Sequence, residues 1–394
     1  MKHRLAGMLA LALLAGLLFG CRSGTAETEA APPEHVRIGV ALIDAEDAAE
    51  SEAQRAGIEQ ALEALAMDGG EVVWRFGTGE EQGLFEALQA CADEGCNLIF
   101  TNPHGGHQRS VERAAKKNPQ AEFVAVGGDS AKASGLSNLH NASPRLFEAQ
   151  YVAGIAAGLK LGGLIERGET EQDAQLGYIA PFPDAEAISG YTAYFLGARS
   201  VCPGLTMTVR YLNTWKSATA EYEAACELLD EGCIVIAGGT AGGAAEACRE
   251  KRDSGIPALC AQELNEARAQ WSVLYEELID AFRTGRTLPT DWSGGFDRDA
   301  VMLTQIGEAA EAGTADAQSA AAAALRDGTL QVFRTDSFTV GGQTVTSALV
   351  TDTDGDLMPD CDEAISDGAF CECFFRSAPY FTLRVDGITE RFGS

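Results

Sequence analysis

The chain has 394 residues, with 29 Lys+Arg against 58 Asp+Glu and 46% hydrophobic residues. That length and apolar content suffice for a large core, divided most naturally between two domains. A net charge of −29 excludes a protein that neutralises nucleic-acid phosphates or a polybasic membrane binder, and the ordinary charged fraction excludes wholesale disorder.

The N-terminus carries a targeting signal. Lys2, His3 and Arg4 are followed by an apolar run at 5–19, of signal-peptide length and too short for a comfortable spanning helix. The run closes on Leu18-Phe19-Gly20-Cys21, which resembles a bacterial lipobox and makes Cys21 the expected lipidation site after removal of residues 1–20. A plain secretory signal with a chance cysteine is the alternative. Residues 21–35 are rich in Ser, Thr, Glu, Ala and Pro without apolar periodicity, as in a flexible tether. The expected location is extracytoplasmic, on the periplasmic side or the cell surface, with a lipid on Cys21 as the membrane contact.

Ten further cysteines fit an exported chain, where an even count points to disulfides. Cys91 with Cys96, Cys226 with Cys233, and Cys248 with Cys260 are the expected local pairs; Cys202, Cys361, Cys371 and Cys373 are left unassigned. Zinc is the rival reading, but no two CxxC pairs face each other.

In chain order, 36–43 reads as a buried strand, 53–67 as a helix with Ile58, Leu62 and Leu65 on one face, and 71–76 as a second strand. A helix at 84–91, a strand at 97–100, a helix at 108–117 and a strand at 122–126 follow. The pattern restarts with a strand at 176–180, a helix at 185–201, a strand at 206–212, a helix at 220–229 and a strand at 234–237. Residues 244–252 and 257–260 continue it. Alternation of this kind predicts doubly wound α/β sheets, and its repetition predicts two lobes with a crevice beyond the carboxyl ends of the strands.

Several segments resemble one family. Glu148-Ala-Gln-Tyr151-Val-Ala-Gly154-Ile-Ala-Ala157 is similar to an E-x-x-Y-L-x-G-x-x-A helix, and Phe195-Leu-Gly-Ala-Arg199-Ser-Val-Cys-Pro203 to an F-x-x-G-A-x-x-x-x-P stretch. Thr214-Trp215, the helix running to Asp230-Glu-Gly232, Trp292-Ser-Gly-Gly295-Phe, Asp327-Gly328 through Phe333, and Val385-Asp-Gly-Ile388 continue the likeness in order. The chain thus resembles the basic membrane protein family of lipid-anchored solute receptors, members of which bind purine nucleosides for an ABC importer. The resemblance implies two Rossmann-like lobes joined by a hinge, a type I periplasmic binding protein. It also implies a monomer that binds a small, nucleoside-like solute and docks on an ABC permease. By the same resemblance lobe 1 is 36–142 plus about 263–295, and lobe 2 is 143–262 plus about 296–394, hinged near 142–143 and 262–263. The ligand motifs depart from the family. The opening loop, with Asp44, Asp47, Ser51 and Gln54, lacks the family's Phe and Asn; the loop at 239–243 has no acid; and no lysine lies between Asn265 and Phe282.

Candidate ligand-binding residues lie at the strand ends: Asp44, Asn102, His104, Asp129, Phe182, Trp215 and Thr240. Trp215 suits stacking on a flat ligand, against lobe packing as the alternative. Asn102, His104 and His107 share a polar loop, with metal binding by the two His a lesser reading. Asp44 and Asp129 either accept bonds from ligand hydroxyls or cap helices. Phe182 either walls the cleft or packs in the core.

The tail has its own signal at about 350–375. Asp352, Asp354, Asp356, the carbonyl of Met358, Asp360 and Glu363 take loop positions one, three, five, seven, nine and twelve, the spacing of calcium ligands. Leu357 replaces the EF-hand glycine, and the stretch looks more like a thrombospondin type 3 loop closed by Cys361. Calcium there would be structural, pinning an insertion to the second lobe; a solvated acidic turn is the alternative. No G-x-S-x-G elbow, P-loop lysine motif or H-E-x-x-H is present, so a receptor rather than an enzyme is expected, with no catalytic cofactor and no nucleic-acid partner. The alternative is a sensor or surface lipoprotein that keeps the fold without transport.

Overall fold

The computed structural model describes residues 31–69, 72–79, 81–103, 108–170 and 175–392. The expected signal peptide, Cys21, His104 and His107 lie outside the described residues.

In the first lobe the strands are β1 (Ile38–Ala41), β2 (Val72–Arg75), β3 (Leu98–Thr101), β4 (Glu122–Val126) and β5 (Leu139–Pro144). Between them run α1 (Ala49–Ala64), α2 (Gln82–Asp93), α3 (Gln108–Lys117) and the short α4 (Ala131–Ser134). The chain then enters the second lobe through α5 (Leu146–Glu166). There β6 (Gln175–Ala180), α6 (Ala185–Val201), β7 (Thr206–Tyr211), α7 (Ala218–Asp230), β8 (Cys233–Gly238), α8 (Gly243–Asp253) and β9 (Leu259–Cys260) follow. It returns through β10 (Ala267–Ala269) to α9 (Trp271–Arg283) and β11 (Asp291–Gly294) of the first lobe. It crosses again through β12 (Val301–Leu303) to α10 (Thr314–Arg326). The tail holds four two-residue strands, β13 (Leu349–Val350), β14 (Asp362–Glu363), β15 (Ile365–Ser366) and β16 (Ala369–Phe370), and ends in β17 (Ile388–Arg391).

Both main sheets are wholly parallel, as the alternation predicts. The first has the order β11-β5-β4-β3-β1-β2 and the second β17-β7-β6-β8-β9. Central strands such as Ile38–Ala41 and Leu98–Thr101 are buried on both faces, which explains their unbroken apolar runs. Three crossovers join the lobes, and two of them pair as the antiparallel ribbon β10–β12.

The second lobe is built around the α5–α6 pair. Gly154 lies so close to the Tyr194 carbonyl, and Gly197 to the Tyr151 carbonyl, that a Cβ at either would collide with backbone. These are positions where only glycine lets two helices meet at such short range. The segments resembling the E-x-x-Y and F-x-x-G-A motifs are therefore packing motifs of the second lobe.

The expected disulfides are not formed: Cys91, Cys96, Cys202, Cys226, Cys233, Cys248, Cys260, Cys361, Cys371 and Cys373 are all free thiols. Cys91 and Cys96 are neighbours that share a hydrogen bond, which raises the Cys91 thiol and lowers that of Cys96. Cys226 lies beside Tyr222 whereas Cys233 bonds Thr208, so those two turn to different partners. Cys248 and Cys260 sit in the apolar cluster under α7 and α8, where burial pushes both thiols up.

Candidate functional site

Strand order fixes where a ligand can bind. In the first sheet β1 lies between β2 and β3, so the chain direction reverses between β1 and β3; in the second the reversal lies between β6 and β8. Connections leave a switch point in opposite directions, and the gap between them is the ligand crevice. Asp44 follows β1 and Asn102 follows β3, while Phe182 follows β6 and Thr240 follows β8. Asp129 and Trp215 follow the neighbouring strands β4 and β7.

The structure joins some of these residues and separates others. Asn102 is buried and its Oδ1 accepts the Ile43 N–H at 3.0 Å, tying the loops after β1 and β3. Its Nδ2 is buried without a partner, an unspent donor at the switch point. Asp44 does not cap α1, whose N-cap is Ala48. Its carbonyl accepts the Gly77 N–H. Phe182 and Trp215 meet edge to face with centroids 4.7 Å apart. Trp215 is 57% exposed, which decides against lobe packing as its role.

Asp129 is spoken for. Arg376 from the tail approaches it at 3.6 Å, and its backbone N–H donates to Gln108 Oε1. Burial raises its carboxyl, with Arg376 opposing the shift. Ser130, not Asp129, stands at the N-cap of α4.

Thr240 is held through its backbone by Glu221, a residue that sequence reasoning missed. The Glu221 carboxylate is buried under the glycine loop and accepts N–H groups from Thr240 at 2.6 Å, Ala241 at 2.7 Å and Gly243 at 3.2 Å. The acid absent from this loop in sequence is therefore supplied from α7, facing the backbone. Glu186 was missed too. It lies in the first turn of α6, behind the Asp184 cap, with its side chain exposed. Crowding by the surrounding protein, then the charges of Asp184 and of Glu50 in the other lobe, raise its carboxyl.

The tail carboxylates divide. Asp352, Asp354 and Asp356 bring oxygens within 4.8 Å of one another. Asp360 instead accepts the Thr353 N–H and hydroxyl, and Glu363 accepts the N–H groups of Ala348 and Ile365, so neither belongs to that group. Asp352, Asp354 and Asp356 also accept nearby N–H groups, from Gly355, Asp356 and Met358, yet keep their oxygens together, whereas the bonds of Asp360 and Glu363 draw them to partners outside that cluster. The loop is also not confined to the second lobe: the Asp354 carbonyl accepts the N–H of Ala133 in the first.

Comparison with known proteins bears on the whole arrangement. Residues 43–263, more than half of the chain, match the Bmp family model, described as ABC transporter substrate-binding protein PnrA-like. A 132-residue segment is 33% identical to TsgA13 of Haloferax volcanii, whose name assigns it to an ABC transporter and to glucose; it covers 34% of this chain and 30% of the relative. A 150-residue segment is 30% identical to a purine-binding protein of Brucella abortus, covering 38% and 39%. The chain thus spans well under half the length of these curated relatives. An ABC transporter solute-binding protein from Aeropyrum pernix K1 superposes over 76% of this chain and 93% of its own with a TM-score of 0.61 at 16% identity, a likeness of fold. Fold, strand-end loops and family match agree: the chain belongs to the Bmp family of PnrA-like ABC transporter substrate-binding proteins.

Proposed function

We propose that the chain is an extracytoplasmic receptor that captures a small solute in the crevice between its lobes and delivers it to an ABC permease. The observation that carries this reading is Trp215, a large ring left 57% exposed on a strand-end loop and backed by Phe182. An aromatic ring in that position gains most when a flat or sugar-like face covers it. In the same reading Asn102 Nδ2 donates to the solute, the solute is nucleoside-like, and the protein is a monomer held at the membrane by a lipid on Cys21. Among the described residues no helix is long and apolar enough to cross a membrane. Asp352, Asp354 and Asp356 are read as a structural calcium site, the remaining oxygens coming from backbone and water.

A thermal-shift and calorimetric screen against nucleosides, bases and sugars tests the reading. A solute at one hundred times its dissociation constant adds about 2.7 kcal/mol. The response should fall in Trp215→Ala. A sugar as the only hit would keep the receptor and change its solute. The Asp129–Arg376 pair favours a second reading, a sensor or surface lipoprotein that keeps the fold without transport, because an acid at the crevice is taken by the protein's own cation. Silence across the panel would select it.

A further inference from the structure

Residues 349–377 leave the second lobe, touch the first, and return. Their roots are in the second-lobe core: Val350, Ala364, Phe370 and Phe381 are buried in one cluster with Leu176, Phe195 and Val209. Phe381 stacks on Phe333 with centroids 4.2 Å apart, and β17 beyond it pairs with β7. Between these anchors the segment meets the first lobe at several points. The Asp354 carbonyl accepts the Ala133 N–H at 3.2 Å. Gly355, at φ +86°, lies against the Asp129 carbonyl so closely that a Cβ would collide with it. Arg376 sets Nη1 3.6 Å from Asp129 and 3.3 Å from Asp352. The Ser377 N–H donates to Asp291 Oδ1 at 2.9 Å, beside the Asn141 amide on the same oxygen.

The covalent crossovers between the lobes are three, and hinge motion about them is the usual way such proteins close. The tail adds a fourth, non-covalent tie, reaching from Asp291 of β11 to the loop after β4, so any rotation that moves that loop relative to the second lobe must break it. Arg376 is the costly part: it is 9% exposed, and its Nε is buried without a partner. Two carboxylates, one from the first lobe and one from the tail, offset that burial, and losing either leaves a poorly compensated buried charge.

We propose that residues 349–377 form an interlobe strap that sets the resting angle of the two lobes, with Arg376 as its positioning residue acting through Asp129. The proposal goes beyond solute capture and stands whichever solute the crevice takes.

The test uses the full chain without solute, comparing wild type with Arg376→Gln, Asp129→Asn and Arg376→Lys. Small-angle scattering reads the lobe angle, and amide exchange reads Ala133 and, as an internal control, β6 to β8. Arg376→Gln and Asp129→Asn should enlarge the radius of gyration and speed Ala133 exchange at least about tenfold, one ion-pair's worth of protection. Exchange in β6 to β8 should not change. Arg376→Lys, which keeps the charge, should fall between them and wild type. If Arg376→Gln fails to fold, Asp129→Asn reads the same tie from the first lobe. Unchanged scattering and unchanged Ala133 exchange in folded Asp129→Asn would overturn the strap. So would acceleration spread equally over β6 to β8, because that is a stability effect and not an angle effect.

Discussion

Replacing Glu221 probes how the second lobe presents its glycine loop. Its carboxylate accepts three backbone N–H groups, those of Thr240, Ala241 and Gly243. In Glu221→Ala the exposed Thr240 and half-exposed Ala241 can turn to water, whereas Gly243 is buried and cannot. Two exchanges for water cost about 1 kcal/mol each, and a buried orphan N–H costs about 1–3 kcal/mol. The expected loss is about 3–5 kcal/mol, felt in the second lobe. Glu221→Gln keeps the shape but must aim an NH2 group at one of the donors, for a loss of about 1–2 kcal/mol. Urea melts give the midpoints, and amide exchange at Thr240, Ala241 and Gly243 localises the effect. If Glu221→Ala melts with wild type and Gly243 exchange stays slow, the carboxylate does not hold the loop and the reasoning fails.

Gly197→Ala separates packing from propensity. Helix propensity alone predicts a gain of about 1 kcal/mol, yet a Cβ would collide with the Tyr151 carbonyl, so a loss of about 2 kcal/mol or more is expected; a raised melting temperature would contradict it. Glu372 accepts the Tyr380 and Phe381 N–H groups on one oxygen while the other is buried near Ser189, and burial pushes the carboxyl up to about 7. A raised folded value means its contribution is intact below about pH 4.5 and is lost as pH rises through 7. Glu372→Gln should therefore stabilise by roughly 2 kcal/mol at pH 8 and not at pH 4.5, read as melting temperature against pH; an equal effect at both would refute the assignment. Calcium should raise the melting temperature of wild type but not of a chain with Asp354→Asn and Asp356→Asn, and an equal rise in both would place the ion elsewhere.

Much of this protein is written in its sequence. The buried runs at β1 and β3 and the amphipathic helices between them are local signals, so their order already implied two parallel sheets and put Asp44, Asn102, Phe182, Trp215 and Thr240 on strand-end loops. The family likeness was equally local, because Gly154 and Gly197 pack a helix pair whose motifs survive as short strings. Only the tertiary structure decided the rest. Even spacing could not show that Asp360 and Glu363 bond nearby backbone, nor that ten cysteines stand as free thiols. Glu221 answers a loop some twenty residues away, and Arg376 meets Asp129 across 247 positions of chain, too far for any sequence pattern to register. Periodicity reports which face of an element is buried. Which charge meets which depends on how the lobes and the tail fold back on one another, and that is a property of the assembled molecule.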